Sequence, residues 1–258
     1  MDNTQRFTGR VEEYQRYRMR YPDEHVLGVI RDWCGLVPGW RIADVGAGTG
    51  MLAEVFLQNG NSVVAVEPNE EMRSGCEGLK ERFSELQVVD ATAEATGLED
   101  SSFDMVVAGR AFHWFDAPRA LREFRRILRP DGWIGLVAVG RSKAESEQGR
   151  AYEQLLVQHG TDYEYVREGF RVHDRLDELF GSAQVRNVEL RSEVRLSLEE
   201  FVGQAMSSSF APLPGHPKYE GMQAALREFF EGYGENGLLA MQMSCWINCV
   251  SMSAVELP

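Results

Sequence analysis

The chain has 258 residues, with 27 Lys and Arg against 40 Asp and Glu, a formal charge of −13, 43% hydrophobic and 26% charged residues. These proportions exclude a disordered or fibrous chain, and the length admits one large α/β domain or a domain with a cap. The charge repels a phosphate backbone, which disfavours nucleic acid, and nowhere do ~18 apolar residues run together as a membrane span requires.

Residues 1–37 read as an N-terminal cap: a Tyr- and Arg-rich segment, then a helix over Asp23–Cys34 begun by the Pro22-Asp23 pair. Charges throughout the first 30 residues leave no signal-peptide core. Cys34, Cys76, Cys245 and Cys249 form no CxxC pair and no zinc spacing, so reduced thiols, a cytoplasmic location and no metal site are expected.

Residues 38–141 alternate short apolar runs with amphipathic stretches, the signature of βα units and a parallel sheet. Strands are predicted over Arg41–Val45, Val63–Val66, Leu86–Val89, Met105–Ala108 and Trp133–Val139. A helix over Ala117–Leu128 precedes a turn at Pro130-Asp131-Gly132. Its Leu121, Phe124 and Leu128 make the apolar stripe, so Arg119, Arg122, Arg125, Arg126 and Arg129 read as a solvated face.

Residues 142–258 hold a helix over Lys143–Gly160, an alternating half-exposed strand over Val185–Leu196, and a capping box at Ser197 and Glu200. A loop over 207–217, a helix over Tyr219–Tyr233 and a last strand over Leu239–Val250 follow, with Cys245 and Cys249 on one face. Met206, Met222, Met241, Met243 and Met252 either fill the core or line an apolar acceptor pocket. No repeat or low-complexity linker divides the chain, which reads as one domain with a C-terminal helical insertion.

The densest signal is DVGAGTG, Asp44–Gly50, between the first strand and a helix through Met51, Leu52, Val55 and Phe56. Glycines at 46, 48 and 50 let the chain turn sharply and bring its amides close to a ligand. Glu67 ends the second strand 21 positions after Gly46, where a carboxylate can accept from both hydroxyls of a ribose. A dinucleotide fingerprint needs its third glycine where Met51 stands, and no Gly-Lys-Ser/Thr makes a P-loop. A ligand with an adenosine and no phosphate fits better.

With that loop the sequence resembles the class I methyltransferases, and within them the small-molecule branch called methyltransferase type 11, which includes the trans-aconitate methyltransferase-like enzymes. The likeness runs from about Phe7 to Gly140 and rests on five stretches in order. These are Tyr14–Pro22, similar to a Y-x-x-Y-R-P-x-Y-P cap with Met19 for its proline; Asp44–Gly50; Ala91–Glu94 in place of G-D-A-E; Phe103–Asp116; and Arg126–Val137. The resemblance implies a Rossmann-like, doubly wound, mostly parallel seven-stranded sheet with an antiparallel last strand, and S-adenosyl-L-methionine as cofactor. It implies that Asp44, Gly46, Ala47 and Gly48 meet the methionine part, that Glu67 holds the ribose, and that Pro68 and Met72 lie against adenine. Thr92, where an aspartate often stands, Ala93 and Glu94 line the adenine side, while Gly109 and Arg110 belong to the fourth-strand motif that adjoins the cofactor.

Tyr14, Tyr17, Arg18 and Tyr21 either close over the site or pack as a helix face. In the first reading Tyr14 and Arg18 contact the cofactor, Arg18 through its carboxylate, and Tyr17 and Tyr21 the acceptor. His113 and Trp114, past the end of the fourth strand, are candidates for the acceptor side. His113 is either a catalytic base or a packed histidine between Phe112 and Trp114. The predicted activity is in-line methyl transfer to a small-molecule acceptor, which needs neither metal nor covalent intermediate. A non-catalytic cofactor-binding regulatory module on the same fold is the alternative, and a dinucleotide oxidoreductase is disfavoured by Met51.

Overall fold

The computed structural model describes residues 3–142, 146–170, 176–180 and 185–252. Two helices precede the sheet, α1 (Val11–Tyr17) and α2 (Asp23–Cys34). α2 buries Val26, Leu27, Ile30 and Cys34, the stripe its spacing predicts. Strand and helix then alternate through β1 (Arg41–Val45), α3 (Met51–Gln58), β2 (Ser62–Val66), α4 (Glu70–Glu77), β3 (Leu86–Val89), β4 (Phe103–Gly109), α5 (Ala117–Ile127) and β5 (Leu128–Arg141). The rest comprises α6 (Glu147–His159), α7 (Tyr163–Gly169), α8 (Leu176–Phe180), β6 (Val185–Leu196), α9 (Leu198–Met206), α10 (Tyr219–Tyr233) and β7 (Leu239–Ser251).

The seven strands lie in the order β3-β2-β1-β4-β5-β7-β6. β1 to β5 pair in parallel, and only β7 runs against its neighbours, β5 and β6. A parallel sheet needs cover on both faces, and successive strand residues supply it. Ile42, Val63, Ala65, Met105 and Val107 join the core under α2, α3 and α4. Ala43, Val45, Val64, Val66 and Val106 join the opposite core under α5 and α8. A third cluster holds α6, α9 and α10 together through a triangle of rings, with Phe201 5.3 Å from Tyr152 and 5.7 Å from Phe229, which are themselves 5.2 Å apart. Met222, Met241 and Met243 are buried in it, so they fill core, whereas Met206 is only partly buried.

Of the boundaries that differ from the sequence pattern, two have a direct cause in the structure. β5 begins at Leu128 because Leu128 pairs with Phe103, and the ladder then shifts register so that Trp133 pairs with Met105. Pro130-Asp131-Gly132 therefore bulges within the strand instead of preceding it, with Pro130 and Asp131 exposed and Gly132 buried. α6 starts at Glu147 because the Ser146 hydroxyl accepts the Gly149 amide; residues 143–145 lie outside the described residues. The arginines of α5 are solvated as expected: Arg119, Arg122 and Arg125 are exposed and Arg126 pairs with Glu123 and Asp100, while Arg129, in β5, pairs with Asp104. Among the described residues no helix is long and apolar enough to cross a membrane.

After β3 the chain returns to the centre and lays β4 beside β1 on the other side. The loops leaving β1 and β4 thus diverge and open a crevice at the carboxyl edge of the sheet, where open α/β folds receive their ligands.

Candidate functional site

The loop after β1 turns through three left-handed residues, Gly46 at φ 69°, Gly48 at 59° and Gly50 at 82°. A side chain would be strained at each, and a Cβ on Gly46 would stand 2.6 Å from the Cβ of Ala111. The amides of Gly46 and Ala47 donate to the Val66 carbonyl at 2.8 and 3.1 Å, which folds the loop back over the end of β2.

Glu67, first residue past β2, is 8% exposed and braces this turn. Its Oε2 accepts the Gly48 amide and its Oε1 the Asn69 amide, both at 2.8 Å. Each oxygen keeps a lone pair, so the carboxylate can still accept from two hydroxyls. Burial raises its pKa above the usual carboxylate range, opposed by those two amides. Asn69 caps α4 by accepting the Met72 amide at 3.0 Å, which seats Met72 with its methyl group 3.2 Å from where a Cβ on Gly48 would stand. Pro68 is half-buried beside it.

Asp44 is the more deeply buried of the site's two acidic side chains. It is wholly buried, and neither carboxylate oxygen has a hydrogen-bond partner of good geometry. Burial pushes its pKa up to about 7; the Ala53 amide opposes the shift and the Glu67 charge adds to it.

Across the crevice, β4 ends at Gly109 and the chain passes through Arg110, a non-glycine residue at φ 55°. Gly109 is needed for close approach, since a Cβ there would run into the Tyr21 hydroxyl. Arg110 Nη1 donates to the Met19 carbonyl at 2.9 Å, and its guanidinium lies 4.9 Å from the Tyr21 ring centre. Tyr21 is 6% exposed, and burial raises its pKa. Arg18 caps the end of α1, lies 5.4 Å from the ring of buried Tyr14, and donates to the Ser208 hydroxyl at 3.1 Å. Burial first, then the Arg110 charge, lowers its pKa. Tyr14, Arg18, Tyr21 and Arg110 are thus brought together where the cap meets the end of β4.

Tyr17 takes another direction. Its hydroxyl donates to Glu199 at 2.7 Å, tying α1 to α9. It lines a cavity of about 370 Å³ together with Arg10, Gly203, Met206 and Tyr219; the glycine loop does not line that cavity. His113 sits in a 3₁₀ turn, Phe112–Trp114, stacked on Phe170 at 4.0 Å and tilted to Trp114 at 4.3 Å. His113 is half-buried between those two rings. Trp114 Nε1 is shielded without a partner, and Arg6 covers its ring at 4.7 Å. Ala93 is buried in the core, whereas Thr92 is exposed and bridged to Ala95, and Glu94 accepts the Asp116 amide at 2.9 Å. Thr92 is therefore not drawn to the glycine loop by any hydrogen bond among the described residues.

Several participants escaped the sequence reading. Arg10 donates to the carbonyls of Ser208 at 3.0 Å and Ala211 at 2.7 Å, fastening the cap to the segment after α9. Arg141, at the end of β5, donates to the Tyr163 hydroxyl at 2.8 Å and pairs with Glu153 at 3.3 Å. Its place at a strand's carboxyl end was the one signal available. In chemical terms the crevice offers a carboxylate poised for a pair of hydroxyls, close-set amides and an unpartnered buried carboxylate.

A sequence profile of the type 11 methyltransferase family, described as a methyltransferase domain, matches residues 43–136. An uncharacterized methyltransferase of Mycobacterium tuberculosis is 38% identical over 131 residues, 51% of each chain. The ubiquinone/menaquinone biosynthesis C-methyltransferase UbiE of Shewanella oneidensis is 30% identical over 179 residues, 59% of this chain and 70% of its own. The chain spans about half the length of the mycobacterial relative it matches. In three dimensions it is similar to a protein described as a type II methyltransferase from Anaeromyxobacter dehalogenans, with a TM-score of 0.64 at 23% identity over 92% of this chain and 98% of the other, a likeness of fold.

Proposed function

The chain belongs to the class I, type 11 methyltransferase family, and from that premise we propose that it binds S-adenosyl-L-methionine in the crevice between β1 and β4 and transfers its methyl group to a small-molecule acceptor. The observation that carries the reading is Glu67, whose two oxygens brace the glycine loop through Gly48 and Asn69 and keep lone pairs for a ribose diol. Bound there, the cofactor supplies a methyl group on a cationic sulfur that departs neutral.

The residues have three tasks. Glu67 accepts from the ribose hydroxyls, while Pro68 and Met72 offer an apolar wall to the adenine. The amides near Gly46, Ala47 and Gly48, the Asp44 carboxylate and the Arg18 guanidinium receive the methionine end, with Tyr14 closing over it. Tyr21 and Trp114 flank the acceptor side, and the cap, pinned through Arg10 and Arg18 to residues 208–211, keeps water out. Positioning of this kind is worth an effective molarity of roughly 10⁵ to 10⁸ M, so neither a metal nor a covalent step is required. The charge of −13 supports a small molecule over nucleic acid.

Calorimetric titration with S-adenosylmethionine tests the binding half; no binding, or an affinity that Glu67→Ala leaves unchanged, sinks the reading. Incubation with the methyl-labelled cofactor and separate small-molecule, protein and nucleic-acid fractions tests the transfer. Label in the small-molecule fraction is expected. Binding without label in any fraction favours a regulatory module instead.

A further inference from the structure

β6 closes one end of the sheet and pairs on one side alone, with β7. Its ladder runs unbroken from Val185 opposite Val250 to Leu196 opposite Leu239, and the strand holds no proline, glycine or register shift. A long, regular edge of this kind accepts a further strand unless something blunts it. Which of its residues face outward follows from β7. The Ser142 amide donates to the Gln242 carbonyl at 3.0 Å, so Gln242 turns its backbone towards β5 and Met243 turns its own towards β6, where it pairs with Ser192. The even-numbered residues of β6 therefore bond to β7. Glu189, Arg191, Glu193 and Arg195 present their amides and carbonyls to the open side.

The side chains of these four residues share one face and alternate in sign, so on a chain of net charge −13 their charges cancel. Along the strand Arg191 pairs with Glu189 at 3.2 Å and Arg195 with Glu193 at 3.5 Å. Two copies can close an antiparallel ladder only in registers that set outward-facing residues opposite one another, and among those registers the charges choose. Centred on Arg191, that residue meets its own copy and Glu189 meets Glu193; centred on Glu193, that residue meets its own copy and Arg191 meets Arg195. Like charges directly opposite repel. Centred on Leu190 or Val194, only one kind of opposite-charge pair forms. Centred on Ser192, Arg191 meets Glu193 and Glu189 meets Arg195, each twice by symmetry, while Leu190 meets Val194 and Val188 meets Leu196 on the other face. We propose that two copies of this chain pair antiparallel along β6, about a two-fold axis at Ser192, so that one continuous sheet runs through both. β5 and β7 separate β6 from the crevice between β1 and β4, which stays open in each copy.

Sedimentation equilibrium of the full chain at about 100 µM is expected to give twice its 29.1 kDa mass. Arg191→Glu with Arg195→Glu makes the edge wholly acidic, and Glu189→Arg with Glu193→Arg makes it wholly basic. Each of these chains alone should sediment as a monomer, and the two mixed should form a dimer again. Ser192→Cys tests the same axis without changing a charge. Directly opposite residues of a non-hydrogen-bonded pair have Cα atoms roughly 4.5 Å apart, within the roughly 4.4–6.8 Å that a disulfide spans, and Cys34, Cys76, Cys245 and Cys249 are all buried. Copper-phenanthroline, taking one electron from each thiol as its proton leaves, should link Ser192→Cys into dimers about tenfold or more faster than Asn187→Cys, whose two copies stand far apart in this register. A monomeric wild type overturns the proposal. So does a dimer that both charge variants retain, a mixture of the two that stays monomeric, or equal cross-linking rates for the two cysteine variants. Should either charge variant fail to fold, the cysteine pair decides alone.

Discussion

Replacing Asp44 by asparagine should make the protein more stable at neutral pH, and the gain should grow with pH. The carboxyl keeps its proton in the folded chain up to about pH 7, because it is wholly buried without a good partner. Once unfolded it loses that proton near pH 4, roughly the ordinary aspartate value. Between those values the folded state holds the extra proton, so its stability is fully present at low pH and is lost as pH rises through about 7. The shift from 3.8 to about 7 is about three units, and at about 1.4 kcal/mol per unit the loss reaches about 4 kcal/mol. Asparagine keeps the shape and does not titrate. Urea unfolding of both proteins from about pH 5 to about pH 8 should show the variant gaining about 1.4 kcal/mol per pH unit on the wild type and levelling above pH 7. Glu67, raised by burial as well, acts in both proteins and largely cancels. Parallel stability curves would refute the claim that Asp44 is buried uncompensated.

Gly46→Ala forces a side chain to φ 69° and into the Cβ of Ala111; S-adenosylhomocysteine affinity by calorimetry should drop by about tenfold or more, since backbone strain alone costs roughly 1–2 kcal/mol. Phe201→Ala removes one ring of the Tyr152–Phe201–Phe229 triangle, 1% exposed, and should cost about 3–5 kcal/mol in denaturant unfolding. His113→Gln should slow labelled methyl transfer less than about tenfold, because a histidine stacked on Phe170 packs instead of moving a proton; a loss of about 10² or more would mark it as a base.

The sequence made the strand-loop-helix frame legible because it is local. The apolar runs Arg41–Val45 and Val63–Val66, three glycines at fixed spacing and an acid after the second strand all sit within short windows, and the sheet follows from them. The Ser197 capping box and the Tyr219–Tyr233 helix were readable for the same reason. What was not legible joins distant stretches. Arg10 meets the Ser208 carbonyl 198 positions on, and Tyr17 meets Glu199 across 182. Spacing within the cap says nothing of such partners, so Tyr17 read like its neighbours although it points to α9. β5 began early because Phe103 recruits Leu128, a pairing that outweighs the local turn signal of Pro130. For His113, proximity to Phe112 and Trp114 was visible, but the plate formed by Phe170 was not.

The place of β7 bears on how the molecule comes into being. β6 pairs with β7 alone, and β5 meets β4 on one side and β7 on the other. While a ribosome is still adding residues before Leu239, the edge of β5 stands open and β6 has no neighbour at all. The nascent chain must carry those bare backbone edges, which invite pairing with other chains, until a wedge of 13 residues slides between them. Chaperone dependence during synthesis should therefore concentrate on the interval between β6 and β7.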